Sequence, residues 1–222
     1  MNHPHLLLLH GALGSSAQFA AWLPQLEERY TVSCLDFEGH GKAARPDRPF
    51  RLEHFVENVF AFLDTHDIAE TRVFGHSMGG FVACLATLEQ PQRFLHLSTL
   101  GTKFRWDTST AAREVPKLDP DTIARKVPQL AAALAQRHGD DWQTVVRRSA
   151  ELLQHLGEVG EFRDATLARI RTPMRILVGE RDNMVSVAET RAAAICVPQA
   201  ECRVLPDTPH PIEQVALASL AI

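Results

Sequence analysis

Thr71-Arg72-Val73-Phe74-Gly75-His76-Ser77-Met78-Gly79-Gly80-Phe81-Val82-Ala83-Cys84-Leu85-Ala86-Thr87-Leu88 is the stretch on which the reading of this chain turns. Its first four residues read as a short buried strand, and Phe81 to Leu88 as a helix that Pro91 ends. Between them stands Gly-x-Ser-x-Gly. Strand, glycine-flanked serine and helix in that order make a nucleophile elbow. The turn is so tight that small residues must flank the serine, and its backbone lifts the hydroxyl clear of the sheet. The helix N-terminus directly behind Ser77 favours negative charge that develops there.

On either side of this unit the pattern alternates. His5 to Leu9 is a continuous apolar run ending in His10-Gly11, as expected of a central parallel strand buried on both faces. Phe19, Trp22, Leu23 and Leu26 recur at helical spacing, and Thr31 to Phe37 reads as a second strand. Leu52, Phe55, Val56, Val59, Phe60 and Leu63 mark an amphipathic helix. After the elbow strand come Phe94 to Leu100, Arg175 to Val178 and Cys202 to Leu205. Strands alternating with helices imply βαβ units, a parallel sheet and right-handed crossovers.

Residues 102–168 interrupt the alternation. Ile123, Val127, Leu130 and Leu134 mark one amphipathic helix, bent at Pro128, and Trp142, Val145, Val146, Leu152, Leu153 and Leu156 mark another. The chain therefore divides into a core of residues 1–101 and 169–222 and a helical cap of residues 102–168. Insertion after a strand's C-terminal end suits a lid over the crevice where such sheets bind ligands. The charges of the segment balance, so they advertise no strongly charged substrate.

The composition sets outer bounds. With 222 residues, 45% of them apolar and 23% charged, the chain is long enough for one substantial core. A net charge of −4 offers no basic face for nucleic acid. Cys34, Cys84, Cys196 and Cys202 lack Cys-x-x-Cys spacing, so reduced thiols are expected and no zinc site. Leu6 to Leu9 is too short for a signal sequence, and nothing approaches a membrane span; a cytoplasmic protein without membrane contact is expected.

A serine hydroxyl needs a base to take its proton, and the base needs a third group to orient it. In an elbow architecture the chain order is serine, acid, histidine. Asp182, in Gly179-Glu180-Arg181-Asp182, follows the fifth strand, and His210, in Thr208-Pro209-His210-Pro211, follows the sixth. Glu180, Asp207 and Asp36 compete for the role of acid. Backbone N–H groups can stabilise a tetrahedral oxyanion without ionising. Met78 supplies one, and the loop His10-Gly11-Ala12-Leu13-Gly14 supplies the other through Ala12, with Leu13 as the alternative. Trp106, Leu13 and the cap around Trp142 are expected to complete an acyl pocket, with His76 either packing or lining it.

These motifs resemble, in order and over essentially the whole chain, the α/β-hydrolase fold superfamily: His10-Gly-Ala-Leu-Gly14, Asp36-Phe-Glu-Gly-His-Gly41, Gly75-His-Ser-Met-Gly-Gly80, Gly179-Glu-Arg-Asp182 and Pro209-His210. The resemblance implies an α/β fold of about six parallel strands, with no counterpart of the family's first two, and a helical cap after the fourth. It implies that Asp36 and the Gly39-His40-Gly41 turn are structural. A serine rather than an aspartate at the elbow turns the expectation away from dehalogenase-like and epoxide-hydrolase-like members. Gly-His-Ser-Met-Gly-Gly resembles small carboxylesterases and thioesterases, which implies cleavage of a small-molecule acyl ester or thioester through an acyl-enzyme. A lyase resembling the menaquinone-pathway synthase, or a ligand-binding relative without catalysis, remains as an alternative. No flavin, nicotinamide or metal motif is present, so no cofactor is expected; substrate, chain-length preference and oligomeric state stay open.

Overall fold

A computed structural model describes residues 3–160, 164–220 and 222. Among these, β1 (His5–Leu9), β2 (Thr31–Leu35), β3 (Thr71–His76), β4 (Phe94–Leu100), β5 (Met174–Gly179) and β6 (Ala200–Leu205) form one parallel sheet ordered β2-β1-β3-β4-β5-β6. The helices, in chain order, are α1 (Leu23–Leu26), α2 (Leu52–Thr65), α3 (Met78–Glu89), α4 (Thr108–Glu114), α5 (Pro120–Lys126), α6 (Pro128–His138), α7 (Trp142–Val159), α8 (Asp164–Leu167) and α9 (Val187–Cys196).

The apolar run of β1 has a simple cause. Alternate residues of a strand face opposite sides, and both sides here are covered. Leu7 and Leu9 join Val73, Leu97 and Ile176 beneath α2 and α3, whereas Leu6 and Leu8 join Phe74, Leu100 and Leu177 against Phe19, Trp22 and Ile212. The buried face of α2 consists of the six apolar residues whose spacing announced it. From β1 the chain moves outward to β2, and from β3 it moves the other way to β4. The loops that leave β1 and β3 therefore diverge at the switch point, where open α/β sheets form their crevice.

Two elements differ from expectation. Phe19 to Leu26 does not make one helix: Ser16–Phe19 is a 3-10 turn and α1 spans a single turn, because Pro24 fits only a helix's opening turn. The helix expected around Pro128 is two. Proline disfavours helical geometry in the residue before it, and Val127 sits at φ −135°, ending α5 and starting α6. Of the 102–168 segment, residues 161–163 lie outside the described residues; the rest holds helices and turns, with a small core of Ile123, Leu134 and Val146.

The elbow depends on two glycines. A Cβ on Gly75 would lie 2.4 Å from Gly80 N, and one on Gly79 would lie 2.4 Å from Leu9 O. Both obstacles are backbone and cannot rotate away. Gly79→Ala should therefore destabilise the protein by about 3 kcal/mol or more, at the upper end of overpacking effects. Thermal melting should show a fall of roughly 6–12 °C for a chain of this length, and an unchanged midpoint would mean that α3 and β1 are further apart than described.

Candidate active site

Ser77 sits at φ 51°, ψ −117°, a conformation that L-residues seldom adopt. Such strain costs on the order of 1–3 kcal/mol and persists only where neighbours impose it. Here Ser77 N donates to Leu100 O at 2.8 Å, Gly80 N donates to Ser77 O at 3.0 Å, and Thr102 Oγ1 donates to the same oxygen at 3.1 Å. The serine is pinned from both sides, at the first turn of α3.

The loop after β1 closes as a turn, with Gly14 N donating to Gly11 O at 3.0 Å and Leu13 at φ 59°. His10 is fully buried beneath it. Because a carbonyl can only accept, His10 Nδ1–H donates to Gly11 O at 2.8 Å, and its Nε2 accepts from Phe37 N at 3.1 Å. Burial pushes this imidazole down to about 3, so it stays neutral.

The loops after β5 and β6 bring Asp182 and His210 together. His210 Nδ1 donates to Asp182 Oδ2 at 2.7 Å, while Asp182 Oδ1 accepts from Met184 N and Val185 N, each at 2.8 Å. The Asp182 side chain is only 2% exposed. Burial opposes its ionisation, but the His210 hydrogen bond and the two backbone donors outweigh burial and hold the carboxyl below its ordinary value. Since Nδ1 carries the donated proton, Nε2 of a neutral His210 is left with a free lone pair. Two of the competing carboxylates, Glu180 and Asp36, are engaged elsewhere. Glu180 accepts from Asp207 N at 3.2 Å, and Asp36 accepts from Ser16 N at 2.6 Å and Lys42 N at 3.0 Å. At the end of β4, Gly101 (φ 58°) leaves room for the pair: a Cβ there would lie 3.0 Å from Asp182 Oδ2 and 3.1 Å from His210 Nδ1.

Ser77 opens into a cavity of about 60 Å³, lined by Ala12, Leu52, Ser77, Met78, Phe81, Lys103, Trp106, Leu153, Leu156 and Met184. Ser77, Met78, Ala12 and Trp106 thus line one cavity. Among the described residues Lys103 is the one cationic lining residue, and its charge is met by Glu189 Oε1 at 2.7 Å. Leu13 and Trp142 are not among its lining residues: Trp142 packs against the insert's small core, and Leu13 against both that core and the main one. His76 lies behind the serine: its Nε2–H donates to the His210 carbonyl at 3.0 Å, and its ring stands 5.1 Å from that of His210. Sequence reasoning missed Lys103, Met184, Leu52 and Phe81 as lining residues. Leu153 and Leu156 were visible only as part of the apolar stripe of α7.

A family model described as alpha/beta hydrolase fold matches residues 4–138. The dihydrolipoyllysine-residue acetyltransferase component of the acetoin cleaving system of Pseudomonas putida is 26% identical over 233 residues, covering 95% of this chain and 60% of its own length. The 3-oxoadipate enol-lactonase 2 of Acinetobacter baylyi is 25% identical over 198 residues, covering 82% of this chain and 73% of its own. Among solved structures, that of NosK from Streptomyces actuosus has a TM-score of 0.80 at 25% identity, covering 95% of this chain and 91% of that one.

Burial, with repulsion from His210 adding to it, pushes His76 down from 6.5 to about 3. Below pH 6.5 the unfolded chain takes up a proton that the native state refuses, so stability falls as pH drops from about 6.5 toward 3. One such proton contributes a slope of up to about 1.4 kcal/mol per pH unit. Urea unfolding between pH 7 and 4.5 should accordingly give His76→Gln a shallower acid loss than wild type; equal slopes would mean that native His76 is protonated.

Proposed function

This chain belongs to the alpha/beta hydrolase fold family, and on that premise we propose that it is a serine hydrolase that cleaves a small or medium acyl ester or thioester. The observation that carries the proposal is Ser77 itself, held at φ 51° between β3 and α3 and facing an apolar cavity. Ser77 Oγ attacks the acyl carbonyl carbon while His210 Nε2 takes its proton. His210 then passes that proton to the leaving oxygen or sulfur, and Asp182 holds the Nδ1–H side of the ring. The Ala12 and Met78 N–H groups receive the oxyanion, the latter at the positive end of α3. Water, deprotonated by His210, releases the acyl group. The apolar lining and the compensated charge of Lys103 favour an uncharged acyl chain. The relative from Acinetobacter baylyi, an enol-lactonase and so named for a cyclic ester, is consistent with this chemistry. In this reading the insert of residues 102–168 acts as a lid, contributing Trp106, Leu153 and Leu156 to the acyl site.

Ser77→Ala should stay folded and lose about 10³–10⁶-fold in ester turnover, since the oxyanion donors and binding surface remain. Turnover within tenfold of wild type, or no labelling of wild-type Ser77 by a fluorophosphonate, would refute the nucleophile assignment. Acyl selectivity tests the lid. Each buried methylene contributes roughly 0.8 kcal/mol, about fourfold in kcat/KM. Trp106→Ala should therefore change kcat/KM by different factors for acetyl and hexanoyl esters at nearly constant Tm. A uniform loss across chain lengths with a destabilisation of about 3–5 kcal/mol would identify Trp106 as core.

A further inference from the structure

Two donors from the last turn of α6 converge on one backbone atom of the loop after β1. Arg137 Nη1 donates to Leu13 O at 2.8 Å, and His138 Nε2–H donates to the same oxygen at 3.0 Å. Neither side chain is loose. Arg137 Nη2 pairs with Glu213 at 3.0 Å. His138 is buried, and its Nδ1 accepts from Gly41 N at 3.0 Å, which fixes the neutral tautomer with the proton on Nε2. The Leu13 side chain packs against the insert's core beside Leu134 and Val146. The insert thus grips Leu13 by its side chain and by its carbonyl. The grip has something to hold: Leu13 sits at φ 59°, a left-handed value that a leucine seldom adopts.

The grip is transmitted through two planar peptides. Leu13 C=O and Gly14 N–H are opposite ends of one trans peptide unit, so fixing the oxygen aims the hydrogen. Gly14 N–H donates to Gly11 O at 3.0 Å. Gly11 C=O and Ala12 N–H are opposite ends of the next unit, so Ala12 N–H must point away from the inside of the turn. We infer that Arg137 and His138 are positioning residues that aim the Ala12 N–H at the oxyanion through the Leu13 carbonyl. This rests on the reading of Ala12 as an oxyanion donor. His10 holds Gly11 O independently, so loss of one clamp misaligns the donor without deleting it.

The test is steady-state kinetics on wild type, Arg137→Met, Arg137→Lys and His138→Gln. It is normalised by active-site titration and paired with inhibition by a trifluoromethyl ketone matching the acyl group. That inhibitor forms a tetrahedral oxyanion on serine and so reports the donor directly. Deleting an oxyanion donor costs about 10²–10³-fold, and misaligning one through Arg137→Met should cost roughly tenfold in kcat with KM within about twofold. Affinity for the ketone should fall by the same factor, and Arg137→Lys, which keeps one donor, should recover most of both. His138→Gln should show a parallel, smaller loss, and it carries the test with Arg137→Lys if the methionine variant does not fold. A lower melting temperature with unchanged kcat and ketone affinity per titrated site would overturn the inference while leaving the hydrolase reading intact. Wild-type protein that neither turns over esters nor is labelled at Ser77 would overturn both.

Discussion

The approach of α3 to the end of β1 is the constraint on which the rest of the molecule is arranged. Gly79 lies against the Leu9 and His10 carbonyls so closely that a methyl group has no place to stand. That contact lets the chain leave β3, turn within one residue and enter a helix. Only this route leaves Ser77 in its left-handed conformation at the tip. It also puts the diverging loops of β1 and β3 side by side, so Ala12, Ser77 and Met78 face one cavity. The site is a consequence of sheet topology narrowed by the absence of two side chains.

Around it the supporting groups are mostly neutral. His10, His76 and His138 each direct one N–H at a backbone carbonyl, of Gly11, His210 and Leu13 respectively. Burial holds all three below the ordinary histidine range. A buried neutral imidazole that donates one hydrogen bond avoids most of the desolvation cost that a buried ion carries. Two loops that carry no regular hydrogen-bonding ladder, those after β1 and β6, are tied down in this way. The Asp182 carboxylate is a charged exception, as is the Arg137 guanidinium, and three hydrogen bonds to Asp182 account for why burial does not protonate it.

The sheet was legible in the sequence because its signals are local. Leu6 to Leu9 is apolar on both faces, the α2 positions repeat at helical spacing, and Gly75, Ser77 and Gly79 are spaced for one turn. The pairing of Asp182 with His210 was legible through order along the chain, each falling just past a strand. The insert was legible as helical but not in its layout. Pro128 marked a disturbance without saying whether it bends a helix or divides it. Trp142 and Leu13 are large, apolar and near the site in sequence logic, yet they turn into the core of Ile123, Leu134 and Val146. That core forms between segments whose relative placement no periodicity records. Arg137 and Leu13 are 124 positions apart, and their hydrogen bond has no sequence signature at all.

The same contact bears on modularity. Helical inserts invite exchange between relatives, because they enter and leave the sheet at adjacent strands and carry much of the substrate wall. In this chain the insert also carries part of the scaffold of the loop after β1. A chimera that replaced residues 102–168 wholesale would remove both donors from Leu13 O and the insert's part of the apolar seat of its side chain, leaving Leu13 at its left-handed φ with only its packing against the main core. Grafts that retain Arg137, His138, Leu134 and Val146 would keep both the donors and the apolar seat of the host loop. The useful boundary for recombination therefore lies inside the insert, after Val146 in α7, and not where the sheet hands the chain over.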